Sequence, residues 1–203
     1  MGVSGEERAR AWAAPALILA AGASKRLGTP KQLLPYRGGT LLSHAVARVH
    51  GAFDPVIVVI GAYAERMRAA LGEGPAVEIV ENREWEEGMA SSIRAGTRHA
   101  QAMGEWDALV LTLVDQPLVT RAHLVEMKAR FLEARPEVIA AAYGETIGVP
   151  AIFAGSFLGR LAELKGDRGA RGVVGAVGVD LVRFPLEEAG FDVDRAEDVR
   201  RLE

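Results

Sequence analysis

The chain has 203 residues, no cysteine and a formal net charge of −3. A chain of this length can bury roughly 70% of the surface its unfolded form exposes, so a single domain needs no covalent or metal staple. Without cysteine, disulfides, thiolate metal sites and thiol nucleophiles are excluded, and the mild acidity excludes a broad basic face for nucleic acid. No apolar run approaches the length that crosses a bilayer. The opening MGVSGEERARAWAA is polar and mixed in charge, without a signal-peptide core. These features predict a cytoplasmic protein with no membrane or nucleic-acid partner. Residues 1–14 read as a flexible extension ahead of one domain over 15–203.

From Pro15 onward, apolar runs of strand length alternate with helical patterns. Ala16–Ala21 is the first predicted strand. Thr40–His50 places Leu41, Leu42, Ala45, Val46 and Val49 at helical spacing. Pro55–Ile60 is a second strand, Ala62–Leu71 a helix, Val77–Val80 a third strand and Ser91–Met103 a helix. Ala108–Val114 is a fourth strand running straight into Asp115. Arg121–Ala134 is a helix stopped before Pro136, and Val138–Ala142 is a fifth strand. Uncharged strands separated by helices predict an α/β fold, with a mostly parallel sheet and helices on both faces. After Ala142 the rhythm breaks: Tyr143 to Phe153 reads as a hairpin or an excursion, and about 143–178 together as an excursion from the domain. Phe157–Leu164 is a short helix within it. A last strand, Val179–Phe184, and a last helix, Ala196–Leu202, close the chain.

In such sheets ligands sit beyond the carboxyl ends of the strands. Three polar features stand there. The first is the loop after strand one, with Gly22, Lys25, Arg26, Gly28 and Lys31. A glycine loop with free N–H groups and three cations suits an anionic phosphate, although its spacing is neither of the common phosphate-loop patterns. Spacing alone leaves open a plain turn with solvated cations. The second is Asn82, after strand three. The third is Asp115, poised either to hold a cation at the sheet edge or to form a turn ahead of Pro117. Further on, Asp192 and Asp194 share a face of an extended segment, where one could bind metal or Asp194 could cap the last helix. Ser91 and Ser92 open a helix whose first N–H groups are free. Lys165, Asp167, Arg168 and Arg171 form a charged, glycine-rich run, either a solvated loop or a clamp on phosphate. The histidines, including His44 and His99, and the three tryptophans carry no assigned chemistry.

The segment LAAGASKRLGTPKQLLP, Leu19 to Pro35, closely resembles the opening motif of the MobA-like nucleotidyltransferases, with Leu27 where that pattern usually has Met. GMASSIRAG, VDQPLVT, IGVPAIF, LKGDRGARG and FDVDRAEDV follow in the order seen in molybdenum cofactor cytidylyltransferases of the MocA type. The resemblance spans about Pro15 to the end. It departs at Arg195-Ala196, where the family often has Thr-Pro. It implies a Rossmann-like nucleotidyltransferase fold. It also implies a nucleotide site made of Leu19, Ala20, Ala21, Gly22, Ser24, Lys25, Arg26, Gly28 and Lys31, completed by Asn82, Ser91 and Ser92.

By the same resemblance, Asp115 binds Mg²⁺ (Mn²⁺ as the substitute) with Asp194 or Asp192, and Pro150, Lys165, Arg168 and Arg171 meet the acceptor. Lys31, Arg26 and Asp115 are the implied catalytic groups. Ser92 matches a serine that helps read cytosine, and Ala21 stands where the guanylyl branch commonly has Gly. The implied reaction moves CMP from CTP to the terminal phosphate of molybdopterin, releasing pyrophosphate and giving molybdopterin cytosine dinucleotide. Docking to a molybdoenzyme or its chaperone would follow. Transfer from GTP, transfer to a sugar or alcohol phosphate, and a non-catalytic molybdopterin carrier are the alternatives.

Overall fold

The computed structural model describes residues 12–72, 74–166, 174, 179–195 and 197–198. The run ALILA forms β1, Ala16–Ala20, and every one of its residues is buried. It lies between β4 (Val56–Ile60) and β6 (Ala108–Leu113), parallel to both. The edge strand β5, Glu78–Glu81, continues the parallel pattern beside β4. On the other side, β8 (Thr146–Ala154) runs antiparallel to β6 and to β7 (Val138–Tyr143). Finally β9, Leu181–Pro185, pairs parallel with β7. The seven-stranded order is β5-β4-β1-β6-β8-β7-β9, and β8 alone among these strands runs against the rest. A separate two-residue ribbon pairs β2 (Pro35–Tyr36) with β3 (Gly39–Thr40).

Alternation along β1 sends side chains to two cores. Ala16, Ile18 and Ala20 pack with α1 (Leu41–Val49), α2 (Ala64–Leu71) and α4 (Arg121–Ala134) through Leu42, Met67 and Leu124. Leu17 and Leu19 face α3 (Met89–Met103) and α5 (Leu158–Leu161) through Ile93 and Leu161. Each fully buried Leu or Ile contributes about 1.5–3 kcal/mol. Two helices carry capping boxes at their starts, Thr40 with Ser43 and Thr120 with His123. The sheet is therefore covered on both faces, as the apolar strands require. No helix among the described residues is long and apolar enough to cross a membrane.

Two expected boundaries move. Residues 12–14, assigned to the loose extension, are docked on the domain. Ala13 N–H donates to Asp107 Oδ2 at 2.7 Å, and Asp107 N–H donates back to Ala13 O at 3.0 Å. Trp12 packs edge-on against Phe53 at 6.2 Å, with Lys128 Nζ 4.4 Å from its ring. The aromatic surface of Trp12 overrides the polarity of its neighbours. Residues 143–153, read as a hairpin or an excursion, are the hairpin: β8 returns from Gly144 as a buried central strand. Pro150 disguised its length. The register slips between Ala140 and Ala141 opposite this point, and a bulge tolerates a residue without an N–H. The predicted helix over 196–202 lies outside the described residues apart from Glu197 and Asp198.

The helix α3 lies close on the sheet. A Cβ on Gly96 would stand 2.2 Å from Leu17 Cδ1 and 2.8 Å from Val59 Cγ2. Gly96→Ala is therefore expected to cost about 1–3 kcal/mol by overpacking. An unaltered denaturant midpoint would contradict this contact.

Candidate active site

The strands β1, β4, β5 and β6 all end at one edge, and a cleft of about 420 Å³ opens there. That size suits a small-molecule ligand. Its floor is the end of β1, Leu19, Ala20 and Ala21, with Gly22 and Lys25 from the following loop. The loop folds on itself. Leu27 and Gly28 N–H groups donate to Ser24 O, and Lys31 N–H donates to Ser24 Oγ at 3.1 Å. Positive φ falls at Ser24 (51°) and Gly28 (70°), so the turn is made there. Gly22 is not at positive φ. A Cβ on Gly22 would meet no atom of the protein within 4 Å, so a glycine there leaves room for a ligand instead. The buried Gln32 side chain pins the loop to β1, donating to Ala20 O and Gly22 O at 2.8 Å each.

Lys31 begins a short 3₁₀ turn, and its ammonium reaches across the cleft. Nζ lies 2.5 Å from Asp115 Oδ2 and 2.9 Å from Asp194 Oδ1. Asp115 follows β6, and its carbonyl accepts the Val193 N–H at 2.9 Å, which draws the 192–194 segment alongside. Burial alone would lower the Lys31 pKa, but Asp115 and then Asp194 outweigh it and hold it above its ordinary value. Arg26 is mostly exposed, with Nη1 3.9 Å from Asp194 Oδ2, a pair weakened by solvent. The alternative in which Asp194 caps the last helix concerns residues outside those described, apart from Glu197 and Asp198. The Asp194 carboxylate faces Lys31, and Asp198 Oδ2 accepts the N–H groups of Asp194 and Arg195.

Asp192 stands deeper. Burial pushes its carboxyl up to about 6, with Asp115 and Asp194 adding and Lys31 opposing. Asp115 Oδ1 and Asp192 Oδ1 are buried without a hydrogen-bond partner. Unpartnered, hard anionic oxygens are what a small divalent cation takes as ligands. Among the described residues no three His, Asp or Glu side chains converge into a protein cage. A divalent cation here would complete its shell with water and substrate oxygens, which suits Mg²⁺ or Mn²⁺ rather than a structural site.

At the far end of the cleft, Ser92 lines the wall and Asn82 lies behind it. Asn82 Nδ2 donates to Ser91 Oγ at 2.8 Å and Ser92 Oγ at 3.0 Å, and its Oδ1 accepts the Glu84 N–H. Ser91 spends its own proton on Glu84 O or Gly88 O. Asn82 and Ser91 are thus buried supports, and Ser92 is the one of the three that lines the cleft.

The two predicted acceptor residues that are described do not line this cleft. Pro150 is buried within β8. Lys165 is exposed and borders a separate groove with Glu87, Arg94 and Arg98. Arg168 and Arg171 lie outside the described residues. Four residues went unassigned in the sequence. Trp85 lines the cleft, and Gln32, Gln116 and Arg48 are buried polar groups around it. A polar residue lodged in PKQLLP, in VDQP, or at a buried phase of α1 was the available signal.

Residues 16–181 match the MobA-like NTP transferase domain. The chain belongs to that family. The chain is 35% identical to nicotine blue oxidoreductase of Paenarthrobacter nicotinovorans, over 92% of this chain and 94% of that one. To the molybdenum cofactor guanylyltransferase of Acidiphilium cryptum it is 33% identical, over 90% and 93%. The crystal structure of Rv0371C from Mycobacterium tuberculosis in complex with manganese superposes with a TM-score of 0.70, at 33% identity over 94% of this chain and 97% of that one. Membership of the MobA-like family makes this protein an NTP-dependent nucleotidyltransferase, and the cleft at the sheet edge is its candidate active site.

A raised carboxyl pKa carries a signature in stability. Folded Asp192 keeps its proton to a higher pH than the unfolded chain does. Between about pH 4 and pH 6 the folded state therefore binds more protons, and stability falls as pH rises. Asp192→Asn is expected to raise the melting temperature near neutral pH, with the gain shrinking as pH falls toward 4. A gain independent of pH would show that Asp192 is not destabilised by its charge.

Proposed function

We propose that the protein transfers a cytidylyl group from CTP to the terminal phosphate of molybdopterin. The observation that carries this reading is the Lys31 ammonium held against Asp115 and Asp194, beside a cationic glycine loop at the carboxyl edge of the sheet. Such an arrangement is directed at phosphate. The relative named as an oxidoreductase shares the fold, but these residues favour phosphoryl chemistry.

In this reading the acceptor's phosphate oxygen attacks the α-phosphorus of CTP in line. The bond from that phosphorus to the β-phosphate oxygen breaks, and pyrophosphate leaves. No protein nucleophile is required, because the acceptor is already an anion. The work left to the protein is to hold two anions together and stabilise the charge that develops. Lys31 moves from its carboxylates onto the phosphates, while the loop N–H groups and Arg26 hold the β and γ oxygens. Asp115 and Asp194, with Asp192 behind them, would hold Mg²⁺ or Mn²⁺, which supplies charge neutralisation between the two phosphates. The manganese bound by the mycobacterial relative supports that assignment.

Ser92 accepts from Asn82, so its own proton is free to donate to an acceptor atom on the base. Ala21 closes the floor nearby. Alanine at that position, where the guanylyl branch commonly has glycine, supports CTP. The guanylyltransferase name of the Acidiphilium relative favours GTP as the second reading.

Pyrophosphate release is expected with CTP and molybdopterin, at least about tenfold faster than with GTP. A panel of sugar and alcohol phosphates should give background rates. Chelation by EDTA should abolish turnover, and Mg²⁺ or Mn²⁺ should restore it. Lys31→Ala and Asp115→Ala are each expected to lower transfer by about a hundredfold or more. Full activity in either variant would remove this mechanism, and cofactor delivery without pyrophosphate release would replace it with a carrier role.

A further inference from the structure

Arg48 lies on α1 and is 4% exposed. Arginine is rarely so buried unless it is paired with an acid. Here, among the described residues, no carboxylate bonds to it. Its guanidinium donates instead to four oxygens of one segment. Nη1 reaches Gln116 O at 2.5 Å and Val119 O at 3.4 Å. Nη2 reaches Thr112 Oγ1 at 2.8 Å and also Leu113 O. These acceptors flank Asp115 on both sides. Burial pushes the guanidinium down to about 10, with Asp115 the chief opposing influence, so the group stays cationic at neutral pH.

A buried charge costs several kcal/mol of desolvation, and an apolar side chain would fill the same space. What an apolar residue could not do is draw three backbone carbonyls and one hydroxyl to a single planar fork. With those carbonyls turned toward α1, the Asp115 carboxylate is left facing Lys31. The other side of the segment is tied as well. Gln116 Nε2 donates to Ala189 O at 2.7 Å and Val149 O at 3.1 Å, and Val193 N–H donates to Asp115 O. The helix α1 is itself joined to the end of the nucleotide loop, since Leu41 N–H donates to Leu34 O at 3.1 Å. Arg48 is the link between the loop that would carry phosphate and the strand end that would carry the cation.

We propose that Arg48 is a positioning residue for nucleotidyl transfer: its guanidinium clamps residues 112–119 so that Asp115 meets Lys31 and a divalent cation at the correct distance. This rests on the transfer reading given above, and it assigns Arg48 no contact with substrate.

The test is the metal-dependent gain in nucleotide affinity, which needs no acceptor. CTP is titrated into the protein by calorimetry, once with Mn²⁺ and once with EDTA. Arg48→Lys keeps the charge and loses the fork. It is expected to weaken binding of Mn²⁺ with CTP about tenfold, as loss of a supporting contact around a metal does, and to leave metal-free CTP affinity unchanged. Its kcat should fall about tenfold or more, with KM for CTP measured at saturating Mn²⁺ changing less. Thr112→Val removes one acceptor and leaves the guanidinium in place. It should show the same split at about threefold, and it can be read even if Arg48→Lys does not fold. Equal loss with and without metal in a folded variant, or no loss in either titration, would overturn the proposal. A wild type with the metal-dependent gain but no transfer to molybdopterin would refute the acceptor and leave the Arg48 assignment standing. A wild type lacking the gain would overturn both.

Discussion

One ammonium group between two carboxylates sets the geometry of this site. Lys31 sits 84 residues before Asp115 and 163 before Asp194, yet all three meet within hydrogen-bond distance. The cluster is only partly wet. The side chains of Lys31 and Asp115 each retain 15% of their exposure, whereas Asp194 retains 49%. In so enclosed a place an unpaired ammonium would lose much of its hydration, and burial does pull the Lys31 pKa down. The carboxylates reverse that pull. A lysine whose charge depends on neighbouring acids is one that an incoming phosphate can compete for, because it offers the same kind of partner.

Three separate strand ends must hold still for this to work. The site is assembled from the ends of β1 and β6 and from the segment after β9, none of them neighbours in the chain. The reversed strand β8 makes the third contribution possible. By inserting between β6 and β7 it displaces β7 and β9 outward, and the chain leaving β9 then crosses back over the edge to lie against Asp115. Gln116 holds that return in place through the carbonyls of Val149 and Ala189. The polar groups buried beneath the cleft therefore hold backbone, and the groups that face the cleft are left to the ligand. Asn82 and Ser91 divide from Ser92 in the same way.

Much of this arrangement was readable from the chain. Uncharged runs such as ALILA and VIVVI can be buried on both faces only in a sheet with two helical layers, so fold class followed from strand composition. The glycine loop and Asp115 stood at strand ends, and their convergence followed from parallel topology. The failures share a cause, a dependence on contacts distant in sequence. Pro150 hid the full length of the returning hairpin strand until its bulge was known. The docking of Trp12 needed Phe53 and Lys128 to be in place. Asp194 and Asp192 could not be told apart locally, and the pairing of Asp194 with a lysine from the other end of the domain needed the fold. Arg48 resembled any polar residue on a helix, because its partners belong to a segment more than sixty positions away.

Charge at the cluster constrains the order of events. Asp115, Asp192 and Asp194 bring three formal negatives, against Lys25, Arg26 and Lys31 with three positives. The carboxylates nonetheless occupy Lys31, and a bare triphosphate approaching that end meets their repulsion at close range. Protonation of Asp192, whose pKa stands at about 6, relieves only part of this at neutral pH. A divalent cation arriving with the nucleotide would offset that repulsion, satisfying the unpartnered oxygens of Asp115 and Asp192 and freeing Lys31 for phosphate. The same step leaves a positive field where the acceptor's phosphate must enter. Nucleotide with its cation before acceptor is thus the sequence of binding that this charge distribution favours, and it follows from side chains whose positions Arg48 and Gln116 fix from below.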